Sequence, residues 1–189
     1  MILPRSFYRR DTAQVARDLL GKTLVYKTPE ARLSGRIVET EAYYGHYDPA
    51  SHAYRKTPRS LIMFGPPGYS YVYFNYGVYY LLNVISEDRD IPGAVLLRAL
   101  EPLQGMEFMK KNRGEMPVEM LCNGPGKLTK AFGIDLSLNG HDLTRYPLVI
   151  VDGRTGKIQI KSSPRVGISV AKEVLLRYYV EGSRFVSRK

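Results

Sequence analysis

The sequence has no tryptophan, one cysteine and three histidines in 189 residues. A lone Cys122 excludes an internal disulfide framework. No Cys or His pairs stand at the spacing that zinc sites use, so no metal or other cofactor is expected. No apolar run approaches the ~20 residues that span a bilayer, and Met1–Arg10 lacks the apolar stretch of a signal peptide. These absences predict a cytoplasmic protein that is not attached to a membrane.

Acidic residues are also scarce. Eighteen Asp and Glu stand against twenty-eight Lys and Arg, which gives a formal net charge of +10. A compact domain this basic indicates a polyanionic partner, and nucleic acid is the commonest one. Charge alone does not distinguish DNA, RNA and membrane surfaces, and it also fits a basic enzyme without such a partner.

Tyrosine is the abundant aromatic residue. Ten of the fifteen Tyr lie between positions 43 and 80. A Tyr ring offers a flat face on which a base can stack, and its hydroxyl can meet water or a phosphate. Tyr also favours half-buried strand positions, so a Tyr-rich sheet explains the composition equally well.

No repeat, low-complexity segment or linker divides the chain, so residues 1–189 are predicted to form one domain. Runs of strands with few strand–helix–strand units indicate an α+β fold with a mostly antiparallel sheet. Strands are predicted at Thr23–Lys27, Leu33–Ala42, Tyr69–Phe74, Val78–Ile85, Ala94–Leu100 and Arg177–Val180, and on both sides of the Asp152–Gly156 turn. Helices are predicted from the Asp11 cap to Leu20, from Pro102 to about Lys111, and from Pro125 to just before Gly133.

Two glutamates and a tyrosine share one face of the second predicted strand. In an extended chain Glu39, Glu41 and Tyr43 point the same way. A carboxylate beside an aromatic ring at a strand end suits a general base in a base-stacking pocket. Taken by itself, the pattern favours solvated glutamates on a surface strand. Alternation also does not show whether Glu39 or Glu41 would be the base.

Two other segments have the chemistry of phosphate or DNA contact. Cys122-Asn-Gly-Pro-Gly-Lys127 opens a predicted helix with glycines and a lysine, which suits a phosphate at a helix N-terminus. It is not a nucleotide-triphosphate loop, because Leu121 and Leu128 occupy positions that need Gly and Ser or Thr. Arg165-Val-Gly-Ile168 is a weaker candidate for backbone contact with DNA.

Taken together, these segments resemble the alkyladenine (3-methyladenine) DNA glycosylase family over nearly the whole chain. The order and spacing of several short strings carry the resemblance: Gly35–Tyr43, Ala50-Ser-His52, Thr57-Pro-Arg59, Met63-Phe64, Tyr71-Val-Tyr73, Tyr76-Gly77, Leu96–Pro102, Gly124-Pro125 and Lys127-Leu128. The resemblance implies a single mixed domain with a curved, mostly antiparallel sheet, surrounding helices and a protruding β-hairpin.

The resemblance also implies a role for each matching residue. Glu41 matches the family's general base, and Arg98 matches the basic residue beside the catalytic water and target phosphate. The residues that sandwich and read the flipped base correspond to Tyr43, His52, Tyr73 and Asn83, with Asn83 crowding the amino group of guanine. The DNA-contacting positions correspond to Tyr76, which fills the gap left by the extruded nucleotide, and to Met63, Lys127 and Arg59.

The implied activity is that of a monofunctional DNA glycosylase. Such an enzyme flips 3-methyladenine, 7-methylguanine, hypoxanthine or ethenoadenine out of duplex DNA and hydrolyses the N-glycosidic bond. We expect a monomer that binds double-stranded DNA in the nucleoid. The His52–Thr57 interval is about two residues shorter than in mammalian members, which makes the substrate range doubtful. The long N-terminal extension of mammalian members is missing, which fits a bacterial-type minimal enzyme. Two alternatives stay open: a nucleic-acid-binding domain without activity, and a bifunctional enzyme with Lys127 as Schiff-base nucleophile.

The implied pocket constrains the register of the Tyr69–Ile85 hairpin. Tyr73 and Asn83 can line one pocket only if they share a face of the paired strands. A three-residue tip of Asn75-Tyr76-Gly77 satisfies this, because it pairs Tyr73 with Tyr79 and Phe74 with Val78. We therefore predict that tip, with Gly77 at positive φ and Tyr76 projecting into solvent.

Overall fold

The strands pair into one curved antiparallel sheet. The computed structural model describes residues 1–75, 77–153 and 156–188. Within them the strands are β1 Thr23–Lys27, β2 Arg32–Tyr43, β3 Ser70–Asn75, β4 Tyr79–Ile85, β5 Ala94–Gln104, β6 Leu148–Val151, β7 Ile160–Ser163 and β8 Arg177–Val180. The order is β3-β4-β5-β2-β1-β6, with β8 paired to β2 and β7 paired to β8. The predicted α+β class and antiparallel sheet are confirmed.

The long strand β2 connects the parts of this sheet. One of its edges pairs with β5, while the other edge is divided between two strands. Residues Arg32–Arg36 pair with β1, and residues Glu39–Glu41 pair with β8. Irregularities of the β2–β5 register between Ile37 and Thr40 coincide with the change of partner. The end of β2 is therefore held between β5 and β8.

The helices are α1 Arg5–Tyr8, α2 Thr12–Asp18, α3 Met106–Arg113, α4 Val118–Leu121 and α5 Pro125–Phe132. Asp11 caps α2 as predicted, since its carboxylate accepts a hydrogen bond from the Gln14 amide at 2.9 Å. The helix predicted to follow Pro102 is present as α3, but it begins later than predicted, at Met106. Strand β5 continues to Gln104 because β2 provides a partner for it as far as Ser34. Within the described residues, no helix is long and apolar enough to cross a membrane.

Alternation along the strands separates two faces of the sheet. Side chains such as Val72, Leu82 and Leu97 enter the main apolar core, which residues of α2, α3, α4 and α5 complete. Their neighbours in sequence point to the opposite face, because strand side chains alternate with a period of two. That opposite face bears a small second apolar cluster and a cavity. The helices therefore stabilise one face and leave the other available for a site.

The β3–β4 hairpin has the predicted tip length at a different position. Asn75 pairs with Tyr79 and Tyr73 with Leu81, so the tip comprises residues 76–78 rather than 75–77. The predicted pairing was wrong because Asn75 still belongs to the ladder. The shift changes each partner by two positions, so the faces are unchanged, and Tyr73 shares a face with Asn83 as predicted. Gly77 has φ +66°, as expected.

Helix α5 braces this hairpin. The Thr129 hydroxyl donates a hydrogen bond to the Tyr80 carbonyl at 2.6 Å. Gly126 lies directly against the Tyr79 ring, where a Cβ atom would come within 2.6 Å of ring carbon Cγ. The glycine at this position thus permits the close approach of α5 to β4.

Candidate active site

The cavity lies on the sheet face opposite the main apolar core, and the first residues of α5 also line it. It has a volume of about 590 Å³, which falls within the range of small-molecule sites. Seven of the ten predicted site residues line it: Tyr43, His52, Met63, Tyr73, Asn83, Arg98 and Lys127. The strands β2, β3, β4 and β5 each contribute to this lining. The structure therefore brings together residues that lie as far apart in sequence as 43 and 127.

Glu41 lies in the cavity wall, immediately behind the lining residues. It is fully buried, and its Oε2 accepts hydrogen bonds from Tyr43 Oη at 2.8 Å and Arg98 Nη1 at 3.3 Å. Its Oε1 accepts one from the Val166 amide at 2.7 Å. All three donors line the cavity. A carboxylate has about four acceptor positions, so among the described residues one position on Oε1 has no donor.

Glu39 has different partners, although it shares the strand face of Glu41. It is fully buried, and its Oε1 accepts hydrogen bonds from Arg98 Nε at 3.0 Å and Arg177 Nε at 2.7 Å. Ser187 donates to both carboxylate oxygens. Because only Glu41 contacts the Tyr43 and Val166 donors of the cavity wall, the structure separates two glutamates that alternation leaves equivalent.

Tyr43 is held as a neutral phenol. Burial raises the pKa of Tyr43 well above its usual range, and the negative charge of Glu41 raises it further. The Arg165 guanidinium lies 4.6 Å from the centroid of the Tyr43 ring. The phenol therefore keeps its proton and serves as a permanent donor to Glu41.

Arg165 is structural rather than a surface contact. Its buried side chain donates two hydrogen bonds to Asp48, at 2.6 and 2.8 Å, and one to the Ala42 carbonyl at 3.0 Å. The sequence offered Arg165–Ile168 as a candidate for DNA contact, and the Asp48 partner was missed. The two residues lie 117 positions apart, so no local spacing could have indicated the pair.

The other wall of the cavity carries aromatic rings, and His52 meets its neighbours edge to face. His52 Nδ1 lies 2.8 Å from Tyr71 Oη, and the His52 and Tyr73 ring centroids are 4.7 Å apart at 64°. Partial burial lowers the pKa of His52, and the nearby Arg59 charge lowers it further. His52 is therefore uncharged at neutral pH. Tyr71, which orients it, was not among the predicted site residues.

Asn83 lies deep in the cavity. Its side-chain amide donates to the Tyr71 carbonyl at 3.2 Å, and the residue is only 4% exposed. The backbone partners of Asn83 in the sheet are Tyr71 on β3 and Leu96 on β5. This side chain is fixed in position and limits the space available at the cavity floor.

The residues predicted to contact DNA occupy different environments. Lys127 lines the cavity, with its Nζ 3.0 Å from Asn123 Oδ1. Arg59 is exposed and lies 4.6 Å from the Tyr73 ring centroid. Met63 is only 1% exposed and belongs to the second apolar cluster. It also lines the cavity. Tyr76 lies outside the described residues, and the DNA contacts of all four stay predictions.

Known proteins resemble this sequence over its full length. A family model described as methylpurine-DNA glycosylase matches residues 6–184. A protein of Carboxydothermus hydrogenoformans, whose provisional name is 3-methyladenine DNA glycosylase, is 46% identical over 100% of both chains. Proteins with the same provisional name from Desulfitobacterium hafniense and Methanoculleus marisnigri are 44% and 46% identical, covering 99% and 100% of this chain and 98% and 100% of theirs. The chain belongs to the methylpurine-DNA glycosylase family.

Proposed function

We propose that this protein is a monofunctional DNA glycosylase that starts base excision repair. Its substrates would be alkylated or deaminated purines in duplex DNA, the class of 3-methyladenine, 7-methylguanine, hypoxanthine and ethenoadenine. It would act as a monomer in the nucleoid, without a metal or cofactor. The observation that carries the proposal is the buried Glu41 carboxylate, held by Tyr43, Arg98 and Val166 at the wall of a cavity of about 590 Å³.

The cavity would receive the damaged base after it is rotated out of the helix. A base inside the duplex cannot reach a buried carboxylate, and flipping costs a few kcal/mol, least at a damaged pair. Tyr43, His52 and Tyr73 offer aromatic faces, and alkylation at a ring nitrogen makes the purine cationic, which favours stacking on such faces. A neutral His52 supports the same preference, because an imidazolium would repel a cationic base.

Glu41 would act as the general base. Its carboxylate would take a proton from a water molecule as the water oxygen forms a bond to C1′ and the bond from C1′ to the base breaks. The electron pair of the broken bond leaves on the base, so a cationic alkylated purine departs neutral, and a neutral purine takes up a proton as it departs. The same negative charge would stabilise the positive charge that develops on the sugar. Arg98 and Tyr43 would hold the carboxylate in place. The product is an intact abasic site, because no lysine adduct is formed.

The proposed catalytic role is tested by Glu41→Gln. Glutamine keeps the size of the side chain and loses the base, so single-turnover excision should fall by roughly 10²–10⁴-fold on every lesion while DNA affinity persists. The matched control is Glu107→Gln, at an exposed position on α3, which should excise at the wild-type rate. Undiminished excision by Glu41→Gln would contradict the assignment. In a protein that only binds DNA, this substitution would have no effect.

The proposed DNA partner is tested by salt. The net charge of +10 favours a binding mode dominated by phosphate contacts. If about six to ten phosphates are neutralised, affinity should fall roughly 10³–10⁵-fold between 50 and 200 mM salt. Excision should persist in EDTA, and its loss there would contradict a metal-free mechanism. Trapping of the protein on damaged DNA with borohydride would instead indicate a Lys127 adduct.

A further inference from the structure

A short segment near the end of the described chain closes the network behind the cavity. Val186 is buried, and the Ser187 amide donates a hydrogen bond to Glu39 Oε2 at 2.5 Å. The Ser187 hydroxyl donates to Glu39 Oε1 at 2.7 Å and accepts from Arg98 Nη2 at 3.2 Å. Ser187 does not line the cavity, yet it contacts a residue that does.

The network contains two carboxylates and two guanidinium groups. Glu39 and Glu41 are fully buried, and Arg98 and Arg177 are 7% and 5% exposed. Two negative and two positive charges make the cluster neutral as a whole. Buried charges need such pairing, because an isolated one costs several kcal/mol. The neutral cluster is also fixed in geometry, because each charge is held by hydrogen bonds as well as by attraction.

Arg98 is the member of the network that reaches Glu41. Its three nitrogens contact three different residues: Nε contacts Glu39, Nη1 contacts Glu41 and Nη2 contacts Ser187. The guanidinium is planar and rigid, so fixing Nε and Nη2 determines where Nη1 points. The contact of Nη1 with Glu41, at 3.3 Å, is the longest of the three and depends on the other two.

We propose that Ser187 is a positioning residue for base excision: its hydroxyl links Arg98 to Glu39 and thereby orients the Arg98 guanidinium toward Glu41. The inference rests on the proposed role of Glu41 as general base. The hydroxyl is suited to this task because it donates to a carboxylate and accepts from a guanidinium at the same time. Alanine removes both bonds and leaves Arg98 Nη2 without that acceptor.

The test compares Ser187→Ala with Ser187→Thr, which restores a hydroxyl. Neither change removes the Ser187 amide bond to Glu39, and the Arg188 carbonyl still accepts from Arg177 Nη2 at 2.6 Å, so the segment stays anchored. The control is Ser183→Ala, four residues earlier, whose hydroxyl accepts only a local hydrogen bond from the Phe185 amide among the described residues. Excision is measured under single turnover on hypoxanthine duplexes, with DNA affinity measured separately.

The Ser187→Ala variant should excise about tenfold more slowly at unchanged DNA affinity, since a hydrogen bond to a charged group is lost. Ser187→Thr should recover most of the rate, and Ser183→Ala should match wild type.

Two results would overturn the inference. One is a wild-type rate for Ser187→Ala. The other is an equal loss of rate in Ser187→Ala and Ser187→Thr, which would indicate a structural role alone. Failure of the proposed function is distinguishable, because Glu41→Gln would then excise as well as wild type. If Glu41→Gln is inactive and Ser187→Ala is unaffected, only the positioning role fails.

Discussion

The two walls of the cavity are built differently. The wall behind Glu41 consists of buried charges, in which Glu39, Glu41 and Arg98 share hydrogen bonds. The opposite wall consists of aromatic rings: the His52 and Tyr73 centroids are 4.7 Å apart, and the exposed Arg59 guanidinium lies 4.6 Å from the Tyr73 centroid without lining the cavity. The first wall is fixed by buried charges, and the second is held by edge-to-face ring contacts and the contact between His52 Nδ1 and Tyr71 Oη.

This difference matches what each wall has to do. Charges that stabilise a transition state are effective when they are fixed in advance in a medium of low dielectric, because no reorganisation is then needed. Aromatic faces accept any flat base, since every base has a π-face. A rigid charged wall and a tolerant aromatic wall would therefore suit the proposed chemistry on several purines.

The largest effect that would sharpen this comparison is the loss of Glu39. Glu39→Ala leaves Arg98 and Arg177 buried without their carboxylate, and the free energy of unfolding should fall by about 3–5 kcal/mol. Urea denaturation measures it. The control is Glu101→Ala, whose partially exposed pair with Arg36 bridges the same strands β2 and β5 and should contribute at most about 1 kcal/mol. Equal losses in the two variants would show that the charged wall is not a tight unit.

A smaller effect is expected at the cavity floor. Asn83→Ser shortens a fixed side chain, which leaves room for the amino group of guanine, so release of undamaged guanine should rise by about tenfold relative to hypoxanthine. Excision assays on matched duplexes measure the ratio. Asn112→Ser is a matched control, because Asn112 also donates to a backbone carbonyl at 3.2 Å but does not line the cavity. An unchanged ratio would remove Asn83 from the selection of bases.

The smallest effect concerns the charge state of the stacking wall. In an NMR titration the pKa of His52 should lie below its ordinary value, because partial burial and then Arg59 disfavour the imidazolium. Arg59→Met should raise that pKa, whereas Arg89→Met, at another exposed site, should not. As pH falls through the His52 pKa the ring becomes positive, so affinity for a cationic base should decrease. An unchanged His52 pKa in the Arg59→Met variant would contradict the described electrostatics.

Much of the fold could be predicted from local sequence patterns. Strands Thr23–Lys27 and Arg177–Val180 were predicted to the residue, because short apolar runs between turn residues define them. The end of β5 could not be predicted in this way, since Pro102 suggested a helix start and only pairing with β2 keeps the chain extended. The hairpin tip was displaced by one residue for the same reason, because the ladder retains Asn75.

The candidate site divides along a similar line. Short strings of residues, read through a family resemblance, indicated Glu41, Tyr43 and Arg98. The residues that complete the network behind them could not be predicted, because Arg177 and Ser187 contact Glu39 across 138 and 148 positions of sequence. Spacing predicts contacts within a helix turn or a hairpin, and it has no information on pairs that only the completed sheet brings together.

The divided edge of β2 combines pairing over short and over long stretches of sequence. The β1–β2 and β3–β4 hairpins join segments close in sequence, whereas the β2–β8 pairing requires contacts across most of the chain. Without β8, Glu39 would lack Arg177, one of the two guanidinium groups that hold it. Docking of β8 therefore completes the charged network behind the proposed general base.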